Sequence, residues 1–239
     1  MIVMILMKWQ IANHPGTSGA NDLHTGVIDT TRSIGESHIP IIEGECSQDD
    51  FESIWSRGLP LIVRGAPGHG LLYDWSPTSL SSILPDKACD VVNCETDDPT
   101  YAFIRIRGHF LATQDYPQDM LFKNKSPLLA RDFKSALPVQ MYTDEDGPLN
   151  LAAMYPLEYE CKPDIGPKIY ATTASGHNGS THLHMDMADA INIMASGRAL
   201  WHIFRSDDTD CNPKGVKPYT FEQNQGDCVF IPAGCAHQV

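Results

Sequence analysis

Beyond Pro163 the 239-residue chain breaks into short β-rich pieces, Lys168–Thr172, Thr181–Met187, Ala190–Ala195, Ala199–Phe204 and Cys228–Ile231, divided by Gly and Pro. Short strands at close spacing with turn signals between them point to a sandwich or barrel and away from a parallel α/β sheet. Helical signals come earlier, so the expected fold class is mainly β with flanking helices.

Upstream, residues 1–38 are rich in Gly, Ser, Thr, Asn and His without a sustained period and read as a loose leader. From Ile39 the pattern tightens. Ile39–Ile42 reads as a short strand, and Ser47-Gln48-Asp49-Asp50 ahead of Phe51, Ile54 and Trp55 reads as a helix with an acidic first turn. Leu61–Val63, Asp90–Val92 and Tyr101–Ile104 are further strand candidates, and Arg131–Ala136 reads as helical. The expected organisation is a leader over 1–38 and one domain over 39–239, with a helix and strand lead-in over 39–160 and a barrel over 161–239.

Charge narrows the partners. With 17 Lys+Arg against 30 Asp+Glu the formal net charge is −13, which repels phosphate backbones and anionic headgroups and leaves a basic peptide as the fitting partner. Neither direct nucleic-acid binding nor membrane association is expected. The early apolar run Ile2–Met7 falls far short of the roughly 20 residues that span a bilayer, and it lacks the flanks of a signal peptide. The 7 cysteines are odd in number and include no Cys-x-x-Cys pair, which favours a reducing compartment, cytosol or nucleus, over a disulfide framework.

The densest polar cluster is Thr181-His182-Leu183-His184-Met185-Asp186. On a strand, His184 and Asp186 project to the same side, where two ligands reach one metal ion without distorting the backbone. Two histidines and a carboxylate on one face of an ion are the ligand set of mononuclear non-haem iron sites, so a third ligand must come from a distant strand. A His-x-Asp triplet alone carries little weight, since about one arises by chance in a chain of this composition. Context adds weight: Gly226–Ile231 reads as a turn and buried strand, followed by a Pro232-Ala233-Gly234 turn that delivers His237 rigidly to the start of the next strand.

From about Arg131 to Val239 the sequence resembles the JmjC domain family, in the branch of the histone H3 lysine-9 demethylases. The resemblance is carried by Gly147-Pro148-Leu149-Asn150-Leu151-Ala152, Pro163–Tyr170, His184-Met185-Asp186 with Asp189–Met194, Ala199–Ile203, and Gly226 through Val239. It implies a double-stranded β-helix, the cupin-like jelly roll of the JmjC barrel, and an Fe(II)- and 2-oxoglutarate-dependent dioxygenase. The implied reaction demethylates methyl-lysine on histone H3 by N-methyl hydroxylation, with release of formaldehyde, succinate and CO2.

By motif position the iron ligands and catalytic residues are His184, Asp186 and His237, and the residues implied for 2-oxoglutarate are Thr181, Lys168 and Asn192. Arg198 is the alternative to Lys168 as partner of the far carboxylate, which needs a cation once desolvated. A histone tail is the implied partner and the nucleus the implied address, with the cytosol as the alternative. The alternatives to a demethylase are a catalytically inactive JmjC-like binding or scaffold module, a protein hydroxylase of the same superfamily, and a zinc-holding cupin.

The sequence departs from the family pattern in two short connections, Ala195–Arg198 and Phe204–Gly226, where relatives insert longer segments, and in stopping at Val239. The ending leads to the expectation of a C-terminally incomplete barrel in which the strand bearing His237 is a stub with unpaired backbone groups.

Overall fold

The computed structural model describes residues 2–9, 38–65, 71–76, 79, 91–92, 99–100, 111–114, 127–144, 146–150, 168–172, 183–186, 188–205 and 217–239. Two sheets and a helical layer are built from these residues. The large sheet has seven strands: β1 (Ile2–Trp9), β2 (Ile41–Glu43), β3 (Leu61–Arg64), β6 (Leu111–Gln114), β7 (Lys168–Thr172), β8 (Asp189–Ser196) and β11 (Cys228–Ile231), in the order β2-β3-β11-β8-β1-β7-β6. The small sheet joins β9 (Arg198–Ile203), β10 (Tyr219–Asn224) and β12 (His237–Gln238) in the order β10-β9-β12. A separate pair is formed by β4 (Val91–Val92) and β5 (Pro99–Thr100).

The connections interleave the two sheets. From β8 the chain turns at Gly197, with φ 91°, into β9 of the small sheet; from β10 it turns at Gly226, with φ 88°, into β11 of the large one. Strands that alternate between facing sheets make the expected mainly β, jelly-roll architecture. The Gly226 turn is fixed by Asp227, whose carboxylate accepts from the Asn224 and Gly65 amides at 2.9 and 3.2 Å and pairs with Arg64 at 2.6 Å.

Alternation along β8 and β11 feeds two cores. Ala190, Met194, Val229 and Ile231 face the small sheet, where they pack with Trp201, Ile203, Phe221 and Cys235. Ile191, Ile193, Cys228 and Phe230 face the other way, onto Phe51 and Trp55 of α1 (Gln48–Trp55). A strand covered on both faces is apolar along most of its length, which is why these segments read as continuous runs. Helix α1 starts where Ser47 accepts the Asp50 amide at 3.1 Å, with Asp49 and Asp50 at its positive end. Phe51 and Trp55, one helical turn apart, therefore share the face turned to Phe230. Residues of α2 (Pro127–Ala136) and α3 (Gln140–Thr143), among them Phe133 and Tyr142, complete this layer.

Several expectations require correction. Within the segment read as a loose leader, Ile2–Trp9 form β1, hydrogen-bonded between β7 and β8; the apolar run fits an interior strand. Residues 183–186 are not a regular strand and contain only an isolated bridge at His184. Strand β12 is not a stub with unpaired backbone: His237 lies beside Ile203 of β9 and bridges His184 on its other side. The Tyr101–Ile104 strand candidate lies outside the described residues.

Candidate metal centre

His237 is delivered by a turn whose geometry follows from its residues. The Cys235 amide donates to the Pro232 carbonyl at 3.1 Å, and Gly234 sits in the third position with φ 79°, a conformation that costs glycine little. Two more bonds tie this turn to the segment after His184. The Gly234 amide donates to the Asp186 carbonyl and the Ala233 amide to the Asp189 carboxylate, both at 2.9 Å. Beyond the turn, the His237 amide donates to the His184 carbonyl at 2.8 Å and the His184 amide returns a bond of 3.1 Å. Residues 53 positions apart in sequence are thus locked together by backbone alone.

The side chains follow. His237 is 3 % exposed, and its Nδ1 lies 3.0 Å from the Cys235 carbonyl. A carbonyl only accepts, so Nδ1 carries the proton and Nε2 keeps its lone pair for a ligand. The ring of Trp201 stacks against it at 5.9 Å and 28°. On the other side the His184 ring lies 4.3 Å away, exposed, and Asp186 is half-buried. One ligand atom from each of His184, Asp186 and His237 lies within 4.8 Å of the other two.

Metal–ligand bonds of about 2.0–2.2 Å let ligand atoms stand up to about 4.4 Å apart across an ion, so small side-chain rotations bring this trio into range. Two neutral nitrogens and one carboxylate oxygen form a donor set that suits a divalent transition metal and leaves further coordination positions open. The residues present fit such an ion.

Asn192 is buried in β8, on the row of Ala190 and Met194 that faces the small sheet. Its side-chain oxygen has no hydrogen-bond partner among the described residues. An orphaned buried amide oxygen costs about 1–3 kcal/mol, which a bound polar ligand or water relieves. Half a turn of the amide would present its N–H₂ at the same place. Lys168 of β7 shares a cross-strand row with this residue, since Leu6 of β1 pairs with Lys168 on one side and Asn192 on the other.

Arg198 is not brought to the centre: it begins β9 with its side chain 75 % exposed, 3.6 Å from the Glu222 carboxylate. Thr181 and His182 lie outside the described residues. Sequence reasoning did not single out Asp189, although it stands only three positions after Asp186, or Gln223, a polar residue at an inward position of β10.

Comparison with known proteins places these residues in context. Residues 180–239 match the family described as "JmjC domain, hydroxylase". Over 79 % of its length the chain is similar to human lysine-specific demethylase 3A, at 26 % identity, and covers 22 % of that protein. It is 28 % identical, again over 79 % of its length, to lysine-specific demethylase JMJ26 of Arabidopsis thaliana, of which it covers 36 %. The chain thus spans well under half the length of these relatives. The aligned spans of 288 and 313 residues exceed the whole chain, so both relatives carry segments with no counterpart here. Residues 180–239 match the JmjC domain family model, and about four-fifths of the chain is similar to lysine-specific demethylases.

Proposed function

We propose that this chain is the catalytic part of an Fe(II)- and 2-oxoglutarate-dependent oxygenase that demethylates methyl-lysine on a histone H3 tail. The observation that carries the reading is the convergence of His184, Asp186 and His237, one ligand atom each within 4.8 Å, inside a segment of JmjC sequence. These three residues would hold the metal, and bound Fe(II) and 2-oxoglutarate would supply the oxidising chemistry that acts on the N-methyl group.

The chain's own residues position and select. The Cys235 carbonyl holds His237 in the tautomer that offers Nε2, and the exposure of His184 leaves the centre open to solvent on one side. Asn192 is assigned to 2-oxoglutarate because its buried amide oxygen has no partner among the described residues. Lys168, in the same cross-strand row, is assigned to the far carboxylate, and Thr181 to a hydroxyl contact with the co-substrate. The net charge of −13 favours a basic tail over a nucleic acid, and a histone substrate places the protein in the nucleus.

The test is mass spectrometry of mono-, di- and trimethylated histone H3 peptides incubated with the chain, Fe(II), 2-oxoglutarate and ascorbate. Loss of methyl groups with release of formaldehyde supports the proposal. Gain of one oxygen on a peptide without methyl loss would assign the chain to the protein hydroxylases instead.

A further inference from the structure

Gln223 lies in β10 with its side chain fully buried between the two sheets, and its amide is engaged at both ends. Its Oε1 accepts from the Trp201 indole N–H at 2.8 Å, while Nε2 donates to the carbonyls of Asn192 at 3.1 Å and Asp227 at 3.0 Å. An indole nitrogen only donates and the two carbonyls only accept, so the amide has one orientation and cannot turn over. One side chain thus clamps three segments: β9 through the indole, β8 through the Asn192 backbone, and the Gly226 turn through Asp227.

The indole it holds is the one stacked on His237. Trp201 lies between the Phe221 ring, at 6.2 Å and 4°, and the His237 ring, at 5.9 Å and 28°. A hydrogen bond at Nδ1 decides which nitrogen His237 offers but leaves the ring free to rock about that bond. A fixed aromatic face beside it removes that freedom. We infer that Gln223 is a positioning residue of the metal centre: by fixing the Trp201 indole it fixes the plane in which His237 presents Nε2. The inference rests on the reading that His184, Asp186 and His237 bind a divalent metal.

The test is anaerobic titration of the whole chain with Co(II), followed by visible absorption. It compares wild type, Gln223→Met, Trp201→Phe and the double variant. Phe51→Leu, on the far face of the large sheet, is the control for loss of stability alone. Gln223→Met is expected to weaken Co(II) binding about 10-fold, the size typical of lost support behind a metal ligand. Trp201→Phe is expected to match it, and the double variant to lose no more than the larger single loss, because the two residues act in series. Phe51→Leu is expected to lower Tm while keeping the wild-type Kd.

Wild-type affinity in Gln223→Met, or losses that multiply in the double variant, would overturn the inference and leave the metal centre standing. A wild-type chain that binds no Co(II) would remove the metal-centre reading and this inference with it. Should Gln223→Met fail to fold, Trp201→Phe carries the test alone: about a 10-fold loss supports the inference and an unchanged Kd overturns it.

Discussion

His184 and His237 exchange both backbone hydrogen bonds of an antiparallel bridge, and their imidazole rings lie 4.3 Å apart. Backbone pairing therefore sets the separation of the two histidines before any ion is present. The organisation of a metal centre here depends on the turn and carboxylate that hold the bridge in place.

Gly234→Ala tests the turn. With φ at 79°, a Cβ at this position strains the backbone by about 1–2 kcal/mol. Denaturant unfolding is expected to show a loss of that size, and metal titration a weaker site, because Gly234 also donates to the Asp186 carbonyl. A variant as stable as wild type would show that the turn relaxes without cost.

Asp189 holds the same turn from β8. Asp189 is 2 % exposed and its carboxylate accepts the Ala233 amide, so Asp189→Ala takes that acceptor from a partly buried N–H and is expected to cost about 1–3 kcal/mol. Asp189→Asn keeps an acceptor oxygen and should recover part of this loss. Equal losses in the two variants, measured by thermal unfolding, would contradict the assignment.

Much of this architecture is legible in the residues. Lys168–Thr172 and Cys228–Ile231 are strands with the bounds their β-branched and apolar content suggests, and Ser47 caps the helix that its acidic first turn announces. The His-x-Asp pair and the turn-borne His237 could be found without a structure because the donor types and the Pro-Ala-Gly signal are local. Their backbone bridge could not, since it joins residues far apart in the chain. Strand β10 escaped because Gln223, turned inward, interrupts the apolar alternation begun by Phe221. Strand β1 escaped because its apolar run adjoins a long polar stretch, and only its pairing with β7 and β8 shows that it is interior.

Gly147 is fixed by space. A Cβ there would stand 2.6 Å from the carbonyl oxygens of both Gln140 and Met141, inside van der Waals contact with backbone that cannot move away cheaply. Gly147→Ala is expected to lower stability by about 1–3 kcal/mol with no direct effect on metal affinity. A Tm within experimental error of wild type would contradict the packing of residues 140–150.

The helical layer carries a pH signature. Burial, reinforced by the hydrogen bond to Glu52, pushes the Tyr142 phenol up to about 12. A raised folded-state value stabilises the native protein below the ordinary tyrosine range, and that contribution is lost as pH rises from about 10 through 12. Tyr142→Phe should therefore show a shallower fall in stability across that window than wild type. Parallel profiles for the two proteins would contradict the assignment.

Anaerobic titration with Fe(II) and 2-oxoglutarate shows whether His184, Asp186 and His237 form one metal centre that also takes 2-oxoglutarate. The expected result is a metal-to-ligand charge-transfer band that saturates at one equivalent of iron and is absent in His184→Ala and His237→Ala. A wild-type chain that gives no such band, or a band of undiminished intensity in His237→Ala, would contradict it.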